Sequence, residues 1–472
     1  MAQRLFQEAR SALPHHTRPS PTIAPPQQSL WPTRPERRWL LALLSTSLAL
    51  RIVLILALRT YHVPDKGHHY LFAAEYGRIA YSLATGKGYA SCFALNKGGP
   101  TINGVPFFPF FLSLLFRIFG IYSPGAALAL LVCNSVALMI TTLFIFMAGK
   151  RLFGPTVAWL AAIIISFDPT ALWYAINCTW ETALSTTALA MPPVIYLWLQ
   201  DRPTTGRGIV AGITAGLCAH LNAAVLPVNA LLALWLLIRS TGHRIAIAKC
   251  LAATAVAAAI CIAPWSVRNS LVTGKPVLLR GGGEIPLYVG NHSKAFGDHR
   301  DVKTAYLVHN QEERQLYYSM GEPAYLRRCA QLASQFIRSQ PLAYTHLVIK
   351  RAVFFWLGDF WTAPQWQGSL NIPFSLVRIK QAGYILPAVF ALAGFLVAIH
   401  RRALVWPLTC QIVAYSTPFI LVFCGVMRYR VPIHGSLILF SAIALEAAWH
   451  RLHHNHPTPT ASEPTAPPSH RG

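Results

Sequence analysis

Long apolar runs recur along almost the whole chain, and they restrict the fold more than any other feature. About ten are long enough, or nearly so, to cross the roughly 30 Å hydrocarbon core of a membrane. Backbone groups inside a bilayer must be hydrogen-bonded within the protein, and these runs are far too long for barrel strands. The sequence therefore predicts an all-α polytopic membrane protein with about ten spanning helices, within roughly 9 to 13. The runs are 39–58, 126–148, 155–167, 178–199, 208–222, 224–238, 246–264, 382–399, 403–424 and 431–449.

Composition and charge agree with this fold class. Hydrophobic residues make up 54% of the chain and charged residues 12%, which is unusual for a soluble domain. The net charge of +24 would suit nucleic acid, but the basic residues cluster in alternate loops, as in cytoplasmic loops. We therefore predict no nucleic-acid partner, a cytoplasmic (inner) membrane protein with both termini in the cytoplasm, and membrane lipids as partners. The clusters are Arg34, Arg37 and Arg38; Lys150 and Arg151; Arg202 and Arg207; Arg239 and Arg244; Arg401 and Arg402.

The predicted topology divides the chain into membrane modules, an external region and two tails. The tails are basic or rich in Pro and His, and we expect them to be disordered in the cytoplasm. In the external region, the patterns of 310–321 and 323–340 predict helices, and 342–361 predicts a helix lying on the membrane surface. Cys92 and Cys329 both fall in predicted external parts, and a disulfide between them is left open. The parts are a tail at 1–37, an N-terminal catalytic module at 38–264 with the external loop 59–125, the external region 265–380, C-terminal spans at 381–450 and a tail at 451–472.

The first external loop carries the most unusual pattern. Between residues 68 and 120 lie two amphipathic stretches, interrupted by Pro and Gly, and neither is a good spanning helix. We predict juxtamembrane helices here. A polar insertion at bilayer level, with an acidic residue at Glu75, indicates a reaction site on the membrane surface.

A series of short motifs runs through the membrane part in a fixed order, over roughly residues 40 to 450. The series resembles that of the protein O-mannosyltransferases and lipid A aminoarabinose transferases, which have the GT-C fold and use polyprenyl-phosphate sugars. Phe72 and Ala73 replace the acidic pair of that family, and Glu75 lies about one helical turn later. The motifs are Glu75 with Tyr76, Ile79 with Ala80, Gly86 with Gly88, Pro106 to Pro109, Arg151 to Gly154, Pro169, Glu181, Tyr288 to Asn291 and Arg428 to Pro432.

The resemblance implies a GT-C-like catalytic module and transfer of a sugar from a polyprenyl-phosphate donor. Such a reaction needs a base for the acceptor and cations for the departing phosphate. Acidic residues number only 16, which narrows the choice of base. Glu75 is the first candidate, since it lies on an amphipathic helix at the outer face; an ion pair with Arg78 is its alternative. The other candidates are Asp65, Asp168, Glu181 and His69.

Basic and aromatic residues near the last span are candidates for binding the lipid phosphate. Arg428 and Arg430, with Tyr429 between them, are predicted at headgroup height, where arginines bind phosphate through paired hydrogen bonds. Arg268 is a second candidate. Tyr76 and His220 are further candidate site residues without an assigned role, and packing between spans is the alternative for His220. The sequence does not demand a cofactor; a divalent cation held by Glu75 with Glu181 or Asp168 stays open.

Three functions fit this pattern. The first is an integral membrane glycosyltransferase that acts on the outer face of the cytoplasmic membrane, with a lipid, glycan or protein acceptor. The second is a flippase for lipid-linked sugars, which usually shows paired repeats that this sequence lacks. The third is a glycan polymerase or ligase with the same topology.

Overall fold

The described part of the protein is built from helices. In the computed structural model, residues 29–64, 71–95, 98–240, 242–358, 374–423 and 425–454 are described. Within these ranges two isolated β-bridges form, and no strand does. The all-α fold class predicted from the apolar runs is confirmed.

Eighteen α-helices and one 3-10 helix follow one another along these ranges. We number the α-helices in chain order. They are α1 (Arg34–Ala57), α2 (Ala74–Ala84), α3 (Phe107–Phe119), α4 (Pro124–Phe153), α5 (Pro155–Phe167), α6 (Pro169–Ile176), α7 (Thr182–Asp201), α8 (Thr205–Ala219), α9 (Val225–Arg239), α10 (Arg244–Thr273), α11 (Glu284–Gly290), α12 (Arg300–Ala305), α13 (Gln311–Met320), α14 (Glu322–Ser339), α15 (Pro341–Leu357), α16 (Phe374–His400), α17 (Trp406–Val422) and α18 (His434–His454), with the 3-10 helix Met427–Ile433 before α18.

Among the described residues, six helices are long and apolar enough to span a membrane, or seven if the bent pair α5–α6 counts as one span. The six are α1, α4, α7, α10, α16 and the 3-10 helix continued by α18. The predicted count of about ten is not confirmed, because α3, α9 and α17 are apolar but shorter. The chain is nevertheless a multi-pass membrane protein.

The bend between α5 and α6 follows from a capping signal inside an apolar run. Pro169 begins α6, and the Asp168 carboxylate caps it by accepting a hydrogen bond from the backbone N–H of Ala171 at 2.8 Å. The break leaves the Ser166 carbonyl without a helical donor. The guanidinium of Arg51, fully buried in α1, donates a hydrogen bond to that oxygen at 2.9 Å. A charged side chain within a span therefore satisfies the carbonyl that the break leaves without a donor.

Small residues let α8 and α10 pack closely. A Cβ built on Gly212 would lie 2.3 Å from the Thr254 carbonyl oxygen, and one on Gly208 equally close to that of Cys250. Glycines four residues apart on one face allow this approach of helix backbones in membranes. The contact brings together the C-terminal end of α8, which His220 follows, and the part of α10 that leads to Arg268.

Ion pairs connect the helix termini at one end of the bundle. Lys150 at the end of α4 contacts Glu36 at the start of α1 at 2.5 Å, and Arg151 contacts Asp201 at the end of α7. Arg401, after α16, pairs with Glu446 of α18. This end carries basic clusters that the sequence places in the cytoplasm, and we call it the basic end.

The external region packs against the first loop at the other end. The Glu322 carboxylate accepts hydrogen bonds from the Thr101 hydroxyl at 2.7 Å, the Ile102 N–H at 2.9 Å and the Tyr317 hydroxyl at 2.6 Å. The helices predicted over 310–321 and 323–340 are confirmed as α13 and α14. Cys92 and Cys329 are both buried and free, so no disulfide joins them.

Candidate active site

Parts of the chain that are distant in sequence meet around one small cavity, at the end of the bundle opposite the basic end. Its volume is about 170 Å³. Side chains come from α2, the start of α7, α17, the 3-10 helix and the loops before α3, α9 and α11. The polar lining residues are Tyr76, Glu181, Thr182, Ser185, Asn222, Arg280, Tyr415, Arg428 and Tyr429. Four of these nine, Tyr76, Glu181, Arg428 and Tyr429, are candidates predicted from the sequence.

Glu181 supplies the carboxylate of the cavity. It lies directly before α7, where the helix N-terminus favours negative charge. Its Oε2 atom is buried and has no hydrogen-bond partner among the described residues. A buried carboxylate oxygen without a donor is costly, and the cavity is where a ligand can supply that donor.

Arg428 brings a cation to the same cavity. Its guanidinium lies 3.6 Å from the centre of the Trp180 ring and 5.6 Å from that of Tyr429. Stacking on these faces holds the guanidinium plane in place. Because Trp180 directly precedes Glu181 in the chain, the same short segment positions both the candidate base Glu181 and the guanidinium of Arg428.

Arg280 is the second cation, and our sequence reasoning missed it. It precedes three glycines in the loop before α11, and the backbone N–H of Gly281 bonds the Ile102 carbonyl at 2.9 Å. This hydrogen bond holds the loop before α11 against the first loop of the chain, and Arg280 lines the cavity there. A lone arginine beside a Gly-rich turn was the available signal.

Tyr76 closes the cavity from α2. Burial raises the pKa of its phenol to about 12, so the hydroxyl stays protonated and can donate a hydrogen bond at physiological pH. Gly104 allows the ring to pack there: its φ is +80°, and a Cβ at this position would lie 2.3 Å from Tyr76 Cε1.

Glu75, the first candidate for the base, does not line the cavity. Consecutive helical residues point about 100° apart, so Glu75 faces the external region while Tyr76 faces the cavity. Burial raises the pKa of the Tyr306 phenol well above its usual value, and the nearby Glu75 carboxylate adds to the effect. In the described part of the chain, no ion pair joins Glu75 to Arg78.

Arg430 and Asp168 lie within the protein interior instead of the cavity. The guanidinium of Arg430 is fully buried, and it donates to the backbone carbonyls of Trp356 and Tyr384. Asp168 pairs with His434 at 2.9 Å, a partner that the sequence analysis did not anticipate. Both residues connect helices.

Two further candidates have contacts that pack neighbouring segments: Arg268 contacts the first loop, and His220 contacts α10. Arg268 donates to the carbonyls of Thr101 at 2.6 Å and Tyr89 at 3.1 Å. The Nε2 atom of His220 lies 3.0 Å from the Cys261 carbonyl oxygen. Asp65 and His69 lie outside the described residues.

The carboxylates do not form a metal-binding group where the structure describes them. No set of three or more His, Cys, Asp or Glu side chains suited to a metal ion occurs within those ranges. Of the three carboxylates considered for a divalent cation, Glu181 lines the cavity, and Glu75 and Asp168 do not.

Comparison with known proteins supports the motif series. Residues 101–267, which include Glu181, match the family described as dolichyl-phosphate-mannose-protein mannosyltransferase. The apo crystal structure of the Archaeoglobus fulgidus oligosaccharyltransferase has a TM-score of 0.53 at 15% identity, covering 89% of this chain and 52% of that one. The same enzyme, AglB, with an inhibitory peptide and a dolichol-phosphate gives 0.51 at 14% identity, covering 89% and 51%. The chain has the GT-C fold.

The resemblance predicted from the sequence motifs is thereby confirmed. A weaker likeness, with a TM-score of 0.46 at 11% identity, is to ArnT from Cupriavidus metallidurans bound to undecaprenyl phosphate, covering 88% of this chain and 62% of that one. Comparison with curated protein sequences gives no match. The chain spans about half the length of the oligosaccharyltransferase chains.

Proposed function

We propose that the protein is an integral membrane glycosyltransferase that transfers a sugar from a polyprenyl-phosphate donor to an acceptor at the outer face of the cytoplasmic membrane. One observation carries the proposal: a single cavity holds the unpartnered Glu181 carboxylate oxygen together with Arg280 and Arg428. A base beside two cations is the set of groups that glycosyl transfer from a phosphate requires.

In the proposed mechanism the two arginines bind the donor phosphate. Their N–H groups form charge-assisted hydrogen bonds to its oxygens, and these bonds strengthen as the C1–O bond breaks and negative charge moves onto the phosphate. Glu181 accepts the proton of the acceptor hydroxyl or amine as that group attacks C1 of the sugar. Tyr76, which stays protonated, donates a hydrogen bond to the sugar or the phosphate.

The size of the cavity limits what lies at the reaction centre. Sites for drug-sized ligands usually have volumes of about 300–1,000 Å³, and the volume of this cavity is about 170 Å³. We therefore propose that the cavity holds the transferred sugar and the adjoining phosphate of the donor.

A structural neighbour supports the lipid class of the donor. The oligosaccharyltransferase AglB, which shares the fold, has been solved with a dolichol-phosphate. The same enzyme has been solved with zinc and sulfate. Because this cavity offers one carboxylate in its described lining, the residues do not make a chelating set, and we assign no step to a metal ion.

Turnover on a panel of donors tests the proposal. We would supply the purified protein with radiolabelled polyprenyl-phosphate mannose, then other hexose and pentose donors, and follow release of polyprenyl phosphate. Wild-type release that is lost in Glu181→Gln is the expected result. Glu312→Gln, an exposed carboxylate of α13, is the matched control and should retain turnover.

One outcome would contradict the proposed function, and a second would contradict the assignment of Glu181 as the base. Movement of the donor across vesicle bilayers without release of polyprenyl phosphate would favour the flippase. Release that is unchanged in Glu181→Gln but lost in Glu75→Gln would keep the transferase and return the base to Glu75.

A further inference from the structure

A second concave site lies at the basic end of the bundle, far from the cavity in sequence and position. It is a groove of about 510 Å³ between α1 and α5. Its lining includes the small residues Ala42 and Thr46 and the larger Trp39, Trp159 and Ile163. Small residues among larger aromatic and aliphatic side chains leave a slot that runs along two apolar helices.

Two arginines, Arg34 and Arg38, directly precede the lining residues Pro35 and Trp39 at the start of α1. Glu36 lines the groove, but that carboxylate is paired with Lys150 at 2.5 Å. Arg34 and Arg38, on the first turns of α1, are exposed and make no ion pair with another described residue. A helical turn of unpaired arginines therefore lies beside an apolar slot.

We propose that this groove binds an anionic phospholipid. Its phosphate contacts Arg34 and Arg38, and one acyl chain lies along Ala42, Thr46 and Ile163. Arginines at headgroup height attract anionic lipid, and their stems pack on apolar surface. Trp39 is 72% exposed, as expected for a tryptophan that sits at the membrane interface.

The occupant is a lipid other than the sugar donor. The groove shares no lining residue with the active-site cavity, and it opens where α1 begins and α4 ends. A zwitterionic headgroup carries an ammonium group beside its phosphate, so it would leave the net charge of the two arginines uncompensated. The proposal therefore stands independently of the proposed function.

Quenching of tryptophan fluorescence by brominated lipids tests this site. The protein would be placed in phosphatidylcholine nanodiscs that contain a small fraction of either phosphatidylglycerol or phosphatidylcholine brominated in the acyl chain. We expect stronger quenching by the anionic lipid. This additional quenching should disappear in the double variant Trp39→Phe with Trp159→Phe. Its loss would show that the additional quenching arises at the groove and not at the other tryptophans among the 13 of the chain.

Two substitutions probe the headgroup and chain contacts separately. Arg34→Gln with Arg38→Gln should weaken the preference by about fivefold for each arginine. Ala42→Trp, at an exposed position, should block chain entry without a change in folding. Arg402→Gln with Arg451→Gln removes equal charge from exposed positions at the same end and should leave the preference intact.

Equal quenching by both brominated lipids in the wild type would overturn the proposal. The proposal would also be overturned if the Arg402 and Arg451 control lost the preference for the anionic lipid to the same extent. That result would show that the overall charge of the basic end attracts the lipid, without a specific site.

Discussion

At the scale of single residues, the orientation of neighbouring side chains decides which candidates reach the cavity. Arg428 and Arg430 belong to one sequence motif, but the first lines the cavity and the second is buried against backbone carbonyls. In a 3-10 helix, residues two apart point about 240° apart. The sequence pattern predicts both arginines, and only the local helix type separates their roles. The same reasoning separates Tyr76 from Glu75.

The contact between Gly104 and Tyr76 gives a prediction for one residue. Gly104→Ala should displace the Tyr76 ring, because the new Cβ would lie 2.3 Å from it and the residue has a φ of +80°. We expect at least a tenfold loss of turnover and a loss of about 1–2 kcal/mol in stability. Gly99→Ala, where nothing lies within 4 Å, is the control. Turnover equal to that of the control would contradict this role of Tyr76.

Asp301 gives a prediction about pH. Its pKa is raised from 3.8 to about 6, chiefly by burial, while the N–H groups of Phe296 and Gly297 oppose the rise. Between these values the folded state binds more protons than the unfolded state, so stability is highest below about pH 4 and falls as pH rises through 6. Asp301→Asn should therefore gain stability relative to wild type as pH rises. Parallel thermal-unfolding midpoints from pH 4.5 to 7.5 would contradict this.

At the scale of elements, the external region holds the end of α17 that leads into the 3-10 helix. Arg351 of α15 is fully buried and donates to the carbonyls of Leu421 at 2.7 Å and Gly290 at 2.6 Å. The Asn291 amide donates to the Val422 carbonyl at 2.9 Å. The Tyr288 to Asn291 motif thus fixes the start of the segment that delivers Arg428 to the cavity.

Removal of this connection should lower both stability and activity. Arg351→Ala leaves several buried carbonyls without a donor, and each such group costs about 1–3 kcal/mol. We expect a clear fall in the thermal-unfolding midpoint and a loss of turnover from misplacement of Arg428. Arg338→Ala, on the exposed face of α14, should behave as wild type. If Arg351→Ala retains full turnover, the connection does not position Arg428.

At the scale of the whole molecule, the hydropathy pattern predicts more of the fold than the candidate side chains predict of the active site. The apolar runs predict the helices, since every span must satisfy its own backbone groups. The predicted number of spans is not confirmed, because α9 and α17 are apolar but short. The motif order places Tyr76, Glu181, Arg428 and Tyr429 in one region. Arg280 was missed because its Gly-rich loop has no periodicity, and only the contact with Ile102 brings it to the cavity.

The measurement that tests the central claim most directly separates donor binding from chemistry. Polyprenyl-phosphate binding and single-turnover sugar release would be measured for wild type, Glu181→Gln and Arg428→Ala. We predict that Glu181→Gln binds the lipid phosphate normally but releases sugar about 10²–10⁴-fold more slowly. Arg428→Ala should bind about tenfold to a hundredfold more weakly, since a charge-assisted hydrogen bond is lost. Normal sugar release by Glu181→Gln, or unchanged lipid-phosphate binding by Arg428→Ala, would contradict the assignment of this cavity as the active site.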